Sequence, residues 1–328
     1  MSVGRGAAHY SGPMVSPRVA TTAWLAMLAI VNVTLFVLVA ALSLGTIRGQ
    51  MLDTIALAGN DIGQARVADP LNTALNFISV GSLILVLILV GAIALARKRY
   101  SLAIMAVVLV AGSAATTYVL KYYLITRLDY GVDPERAFAP NSLPSGHATA
   151  AAAFAVGLVL VVPPAVRGVT SLIGATYAGV VGVATLSSGW HRPSDVIASY
   201  LIVGGWAAVA GLMLVIAQRP SAVVSRHDRA GWSFGAALVG GLILVVAGIA
   251  TLYYVFGRMT TPIEEMEVSL LSMGYLGSAL LIGGAAYLMM ACVLVTIHRV
   301  VPHSKDGNRS ISGPRLEPAL VARTTDAG

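Results

Sequence analysis

The chain has 328 residues, a mean hydropathy of +0.82, a formal net charge of +7 and only 11% charged residues. Soluble globular proteins carry about 25% charged residues, so the composition excludes a water-soluble domain. With its repeated long apolar runs it indicates an all-α, polytopic transmembrane bundle. The single cysteine, Cys292, excludes an intrachain disulfide framework and any multi-cysteine metal site.

In chain order, residues 1–19 read as a flexible cytoplasmic tail rich in Gly, Ser, Pro and Arg. Hydropathy and helix length then predict a span at 20–46, too long for a cleaved signal peptide and better suited to a signal anchor. Further spans follow at 73–96, 101–124, 146–166, 169–189 and 194–217, so that 20–217 forms a six-span core. A basic cytoplasmic linker occupies 218–232. Two additional spans, 233–257 and 270–297, make up a segment at 233–299, and 300–328 is a second flexible cytoplasmic tail. Gly174, Ala178 and Gly182 recur at i, i+4, i+8, a small-residue face that lets helices pack closely.

Placing both termini in the cytoplasm leaves Arg5, Arg18, Arg97, Lys98, Arg99, Arg167, Arg219, Arg226, Arg229, Arg299, Lys305, Arg309, Arg315 and Arg323 inside, 14 of the 21 basic residues. The Arg97-Lys98-Arg99 cluster is the strongest marker of that orientation. The same rule accounts for the positive net charge without a nucleic-acid partner. The loops at 125–145 and 190–193 then share the extracytoplasmic face, in an integral protein of the plasma (inner) membrane.

Two motifs fall on that face. Asn141-Ser142-Leu143-Pro144-Ser145-Gly146-His147 reads as a tight turn opening a helix, whose N-terminus offers N–H groups to an anion. Gly146 permits close approach, Ser145 adds a hydroxyl, and His147 is placed to act as a general acid. Gly189-Trp190-His191-Arg192-Pro193-Ser194-Asp195 sets an imidazole and a carboxylate four residues apart at a helix start, with proline suited to the first turn. A carboxylate on one ring nitrogen fixes the tautomer and leaves the other free to attack. Lys121 and Arg127, at the outer end of the third span, bring positive charge for phosphoryl oxygens. Titratable groups beside membrane spans are functional candidates by default. A metal site built from His147, His191 and Asp195 is the competing reading of the same three residues.

These residues resemble the type-2 phosphatidic acid phosphatase superfamily, with its motifs Lys-x6-Arg-Pro, Pro-Ser-Gly-His and Ser-Arg-x5-His-x3-Asp. Pro144 to His147 match the second motif, and His191 and Asp195 match the end of the third. The first motif departs: Arg127 follows Lys121 after five residues, and Leu128 replaces proline. In the third motif Thr185 stands where arginine is expected and Ala184 where serine is. Arg192 and Arg136 are the nearby charges that could make up the loss, although Arg192 directly follows the histidine and its side chain is expected to point away.

The resemblance implies a metal-independent phosphoric ester hydrolase with no cofactor. His191 would be the nucleophile that becomes a phosphohistidine, His147 the general acid and Asp195 the orienting group. Lys121, Arg127, Ser145 and Gly146 would cradle the phosphate. The implied partner is a lipid phosphate, monoester or diphosphate, of the phosphatidic, phosphatidylglycerol or polyprenyl class, met among membrane lipids at the extracytoplasmic face. Two alternatives stand beside it: a lipid phosphotransferase, and a non-catalytic lipid-phosphate binder or transporter, favoured by the loss of the third-motif arginine. The last two spans are candidates for homo-oligomer contacts or for docking a partner.

Overall fold

The computed structural model describes residues 17–60, 80–133, 141–217 and 231–300. Both expected tails apart from a few residues at their inner edges, nearly all of the 218–232 linker, and Arg136 lie outside the described residues. Among the described residues there are nine α-helices and no strand. They are α1 (Pro17–Gly45), α2 (Ile47–Ala58), α3 (Val80–Ala96), α4 (Tyr100–Val119), α5 (Gly146–Val161), α6 (Pro164–Ser187), α7 (Pro193–Ala217), α8 (Gly231–Phe256) and α9 (Val268–Val300). Six of the helices are long and apolar enough to cross a membrane, which makes this an integral membrane protein by composition and length.

Several helix boundaries have a local cause. Proline opens α6 and α7 at the first helical position, where its missing N–H is no loss. The span expected at 146–166 is shorter than predicted. It stops at Val161 because Pro163 and Pro164 follow, and the next helix starts at Pro164 rather than at 169. The end of the span expected at 101–124 is a π-helical turn, Leu120–Leu124, on which Lys121 sits. The loop expected after the first span contains α2. Thr46 is its N-cap, its hydroxyl accepting the N–H of Gly49 at 3.0 Å.

The core is built on small residues. Ala148, Ala152, Ala153 and Ala155 of α5 are buried against α6, α7 and α9. The small face of α6 serves packing: a Cβ on Gly182 would come within 2.4 Å of the Tyr200 hydroxyl, and the Ala178 carbonyl accepts that hydroxyl at 2.6 Å. Helix α9 belongs to the same core. Its Ile282, Ala286, Met290 and Leu294 are buried with residues of α4 to α7, and Tyr275 and Tyr287 bond to Ser187 and Thr176 of α6.

The bundle has two distinct ends. Arg97, Lys98, Arg99 and Arg167 lie at one of them, where Arg18 donates to the Val215 carbonyl at 3.0 Å and Arg299 stacks over Trp24. The opposite end gathers the C-terminus of α4, the N-termini of α5 and α7, the C-terminus of α6 and all of α2. Exposed Tyr118, Tyr122 and Tyr123 mark that end, the amphipathic rings expected at a membrane–water interface.

Candidate active site

The turn from α6 to α7 carries His191, and its shape is fixed before the side chain is considered. Gly189 has φ +69, a left-handed conformation that glycine adopts without steric cost. The Gly189 N–H bonds the Leu186 carbonyl at 2.9 Å and the Trp190 N–H bonds the Thr185 carbonyl at 3.1 Å. Together these two bonds form a Schellman stop. The Thr185 carbonyl also accepts the His191 N–H at 3.2 Å.

Helix α7 begins immediately afterwards, and its third residue, Asp195, folds back over its own N-terminus. Asp195 Oδ2 accepts the backbone N–H of Arg192 at 2.9 Å and stands 3.2 Å from His191 Nδ1. This is the carboxylate half of a capping box, with the histidine added to it. Both partners are buried, His191 at 6% exposure and Asp195 at 0%. The bond to Nδ1 leaves Nε2 as the ring nitrogen able to attack.

Helix α5 begins beside this dyad. Ser145 is its N-cap, its hydroxyl accepting the Ala148 N–H at 3.3 Å. The Ser145 N–H bonds the Asp195 carbonyl at 3.1 Å, and Ser199 Oγ donates to the carbonyls of both Ser145 and Asp195 at 2.8 Å. The two motif turns are therefore bonded to each other through their backbones. The N–H groups of Gly146 and His147 make no hydrogen bond among the described residues. Gly146 is exposed with open space where a Cβ would lie, so a small anion has room at that helix terminus.

His147 faces His191, with ring centroids 6.3 Å apart, and packs its other side against Trp190 at 5.3 Å. Lys121 lies within electrostatic reach of both His147 and Asp195. Arg127, on the extended segment after the π turn, lies within reach of Asp53, Asp133, Asp195 and Arg192. Among the described residues neither Lys121 nor Arg127 makes an ion pair, and a buried Nη2 of Arg127 has no partner. Two cations, two helix N–H groups and two imidazoles thus converge at one end of the bundle.

The expected phosphate-holding set is rearranged around Thr185. Its hydroxyl donates to the Gly182 carbonyl at 2.8 Å, and the residue is wholly buried. The Arg192 side chain pairs with Asp133 at 2.9 Å, with a longer contact to Ser142 at 3.4 Å. Its charge is therefore paired with a carboxylate. Ser145, expected as a donor, is a buried N-cap, although a hydroxyl that accepts one bond still carries its own proton.

Three polar residues of the site were not singled out from the sequence: Asp133, the partner of Arg192, and Asp53 and Asn60, which lie in the predicted first outer loop. Asp53 is 7% exposed and takes both donors of Ser194, the N–H at 3.3 Å and the O–H at 2.5 Å. Burial pushes its carboxyl up to about 6, with Asp195 adding to the rise and the Ser194 bond opposing it. Among the described residues no three His, Cys, Asp or Glu side chains converge as metal ligands, so His147, His191 and Asp195 are not arranged as a metal site.

No curated protein and no solved structure matches the chain. Residues 102–220 match the family model described as the PAP2 superfamily, a stretch running from α4 past the end of α7. It contains Lys121, Arg127, Ser145, Gly146, His147, His191 and Asp195, and over this stretch, about a third of its length, the chain is similar to the PAP2 superfamily, the family that its motifs resemble.

Proposed function

We propose that the protein is a membrane lipid phosphatase that hydrolyses a phosphate monoester or diphosphate of a lipid through a phosphohistidine on His191. One observation carries the reading: the buried His191–Asp195 dyad, bonded through Nδ1, faces His147 across 6.3 Å beside two cations that make no ion pair among the described residues. A binding protein has no use for a nucleophile held in one tautomer by a buried carboxylate.

In the proposed cycle the Nε2 lone pair of His191 attacks phosphorus, and the bond from phosphorus to the lipid oxygen breaks. His147 gives its proton to that oxygen, which leaves as the lipid alcohol from a monoester or, as the bridging oxygen, on the lipid monophosphate from a diphosphate. Water then attacks the phosphohistidine and passes a proton to His147. Inorganic phosphate departs and both imidazoles return to their starting states. Lys121, Arg127 and the N–H groups of Gly146 and His147 receive the phosphoryl oxygens, where negative charge accumulates. Asp195 stabilises the ring of His191 as it becomes positive.

The basic cluster at Arg97–Arg99 supports a cytoplasmic setting for the end opposite the site. With that orientation the reaction takes place at the extracytoplasmic face of the plasma membrane, on a lipid that enters sideways. The test is reconstitution with phosphatidic, phosphatidylglycerol and polyprenyl phosphates while phosphate release is followed, with and without chelator. His191→Ala is expected to abolish release, and unchanged release would sink the mechanism.

One observation favours a second reading. Neither Thr185 nor Arg192 offers a free clamp where the family has arginine, as in a lipid-phosphate binder without turnover. Lipid binding that survives His191→Ala, with no release by the wild type, would favour it. An added alcohol acceptor separates hydrolysis from phosphotransfer by the product formed.

A further inference from the structure

Helix α2 lies outside the stretch that matches the PAP2 superfamily. Even so, buried polar side chains on it and just beyond it bond to three segments that border the site. Gln50 donates to the Leu128 carbonyl at 2.7 Å, next to Arg127. Asn60, just past the helix end, donates to the Leu186 carbonyl at 2.8 Å, next to Thr185. Between them Asp53 reaches the N-terminal turn of α7 and takes the N–H and O–H of Ser194. Gln50, Asp53 and Asn60 are 3%, 7% and 5% exposed.

The Asp53 contact falls at a sensitive place. The first N–H groups of a helix have no partner within it. At α7 the N–H of Arg192 goes to Asp195, and that of Ser194 goes to Asp53. The carboxylate that orients His191 and the carboxylate from α2 thus hold the same turn, one from inside the helix and one from outside. Ser194 is adjacent to Asp195, so a shift of this turn moves the Asp195 carboxylate directly. The charged groups within reach of Asp53 are Asp195, Arg192 and Arg127.

We propose that Asp53 is a positioning residue for the nucleophile. Through Ser194 it fixes the first turn of α7, and with that turn the Asp195 carboxylate and the ring of His191. The proposal deepens the phosphatase reading and rests on His191 as the attacking group.

The test uses the full-length protein in liposomes or detergent, with the variants Asp53→Asn, Ser194→Ala, the double variant, and Asp195→Asn for comparison. Two quantities are measured. One is turnover of the lipid phosphate released fastest by the wild type, resolved into kcat and KM. The other is the rate at which diethyl pyrocarbonate modifies His191, read by peptide mass spectrometry, which reports the imidazole without any substrate. Asp53→Asn is expected to lower kcat by about tenfold to a hundredfold, the cost of small misplacements at a reacting centre, with little change in KM. It should shift His191 reactivity in the same direction as Asp195→Asn.

Ser194→Ala should do the same more weakly, and the double variant should be no worse than Asp53→Asn alone, because the two act through one bond. Folded Asp53→Asn protein with unchanged kcat and unchanged His191 reactivity overturns the proposal, as does an effect confined to KM. If Asp53→Asn does not fold, Ser194→Ala decides, and unaltered His191 reactivity there overturns it. A wild type that releases no phosphate, while His191 reactivity still depends on Asp53, refutes the phosphatase reading and supports the positioning role.

Discussion

The carbonyl of Thr185 accepts the backbone N–H of His191 at 3.2 Å. The residue that stands where the resembled motif has arginine thus holds the His191 backbone through its main chain, while its hydroxyl is turned into its own helix toward Gly182. A side chain of another kind at 185 can keep the first role provided the helix end keeps its shape. In the proposed reaction, phosphate holding falls to Lys121, Arg127 and the start of α5.

Thr185→Val follows directly from that geometry. Valine has nearly the same shape and lacks the hydroxyl, and the hydroxyl is bonded away from the site. Phosphate release is expected to stay close to wild type in kcat and KM. A drop of about a hundredfold, the loss seen on removing a transition-state donor, would show that the hydroxyl grips the phosphate.

Gly189→Ala probes the turn. A Cβ at φ +69 costs about 1–2 kcal/mol, and the turn it strains carries His191. A lower thermal midpoint together with reduced kcat is expected. An unchanged midpoint would mean that the Schellman stop does not hold the segment.

His147→Gln separates the acid from the nucleophile. Loss of a general acid typically costs about 10²–10⁴-fold, and the cost falls on substrates whose leaving group needs a proton. Release from a lipid alkyl phosphate should therefore fall far more than release from p-nitrophenyl phosphate, whose phenolate leaves unaided. Equal losses on both substrates would remove His147 from the role of acid.

Asp53 links stability to pH. Its carboxyl is raised from 3.8 to about 6 in the fold, so the folded state holds this proton more tightly than the unfolded state. Its contribution therefore favours folding below about pH 4, declines as pH rises to about 6, and is level above that. The difference corresponds to about 3 kcal/mol at most. Relative to wild type, Asp53→Asn should gain thermal stability between pH 4 and pH 7. A relative loss over that window would contradict the raised carboxyl. A stability cost retained at neutral pH accords with a residue kept for positioning.

Much of the fold was legible because hydropathy sets the long apolar helices and prolines open α1, α6 and α7. Eight of the nine described helices correspond to the expected spans, with boundaries displaced where Pro163 and Pro164 break the chain. The meeting of His147, His191 and Asp195 was legible from spacing and from the common side of the membrane expected for the two motifs. Helix α2 was not, because twelve residues of modest hydropathy read as loop when only membrane spans are sought. Its signals were local: Thr46 as an N-cap, and Gln50 and Asp53 at i, i+3 on one face. The bonds from α2 to Leu128 and Ser194, and from Asn60 just beyond it to Leu186, join residues far apart in sequence, and no periodicity encodes them. The pairing of Arg192 with Asp133 was invisible for the same reason.

The most direct test is to look for the covalent intermediate itself. Turnover of the lipid phosphate released fastest by the reconstituted protein is quenched in alkali, where phosphohistidine survives, and the peptide spanning Gly189 to Asp195 is examined by mass spectrometry. A phosphoryl adduct on His191, present in the wild type and absent in Asp195→Ala and His191→Ala, is the predicted result. Steady phosphate release with no adduct on His191, or with the adduct on another residue, would contradict the proposed reaction.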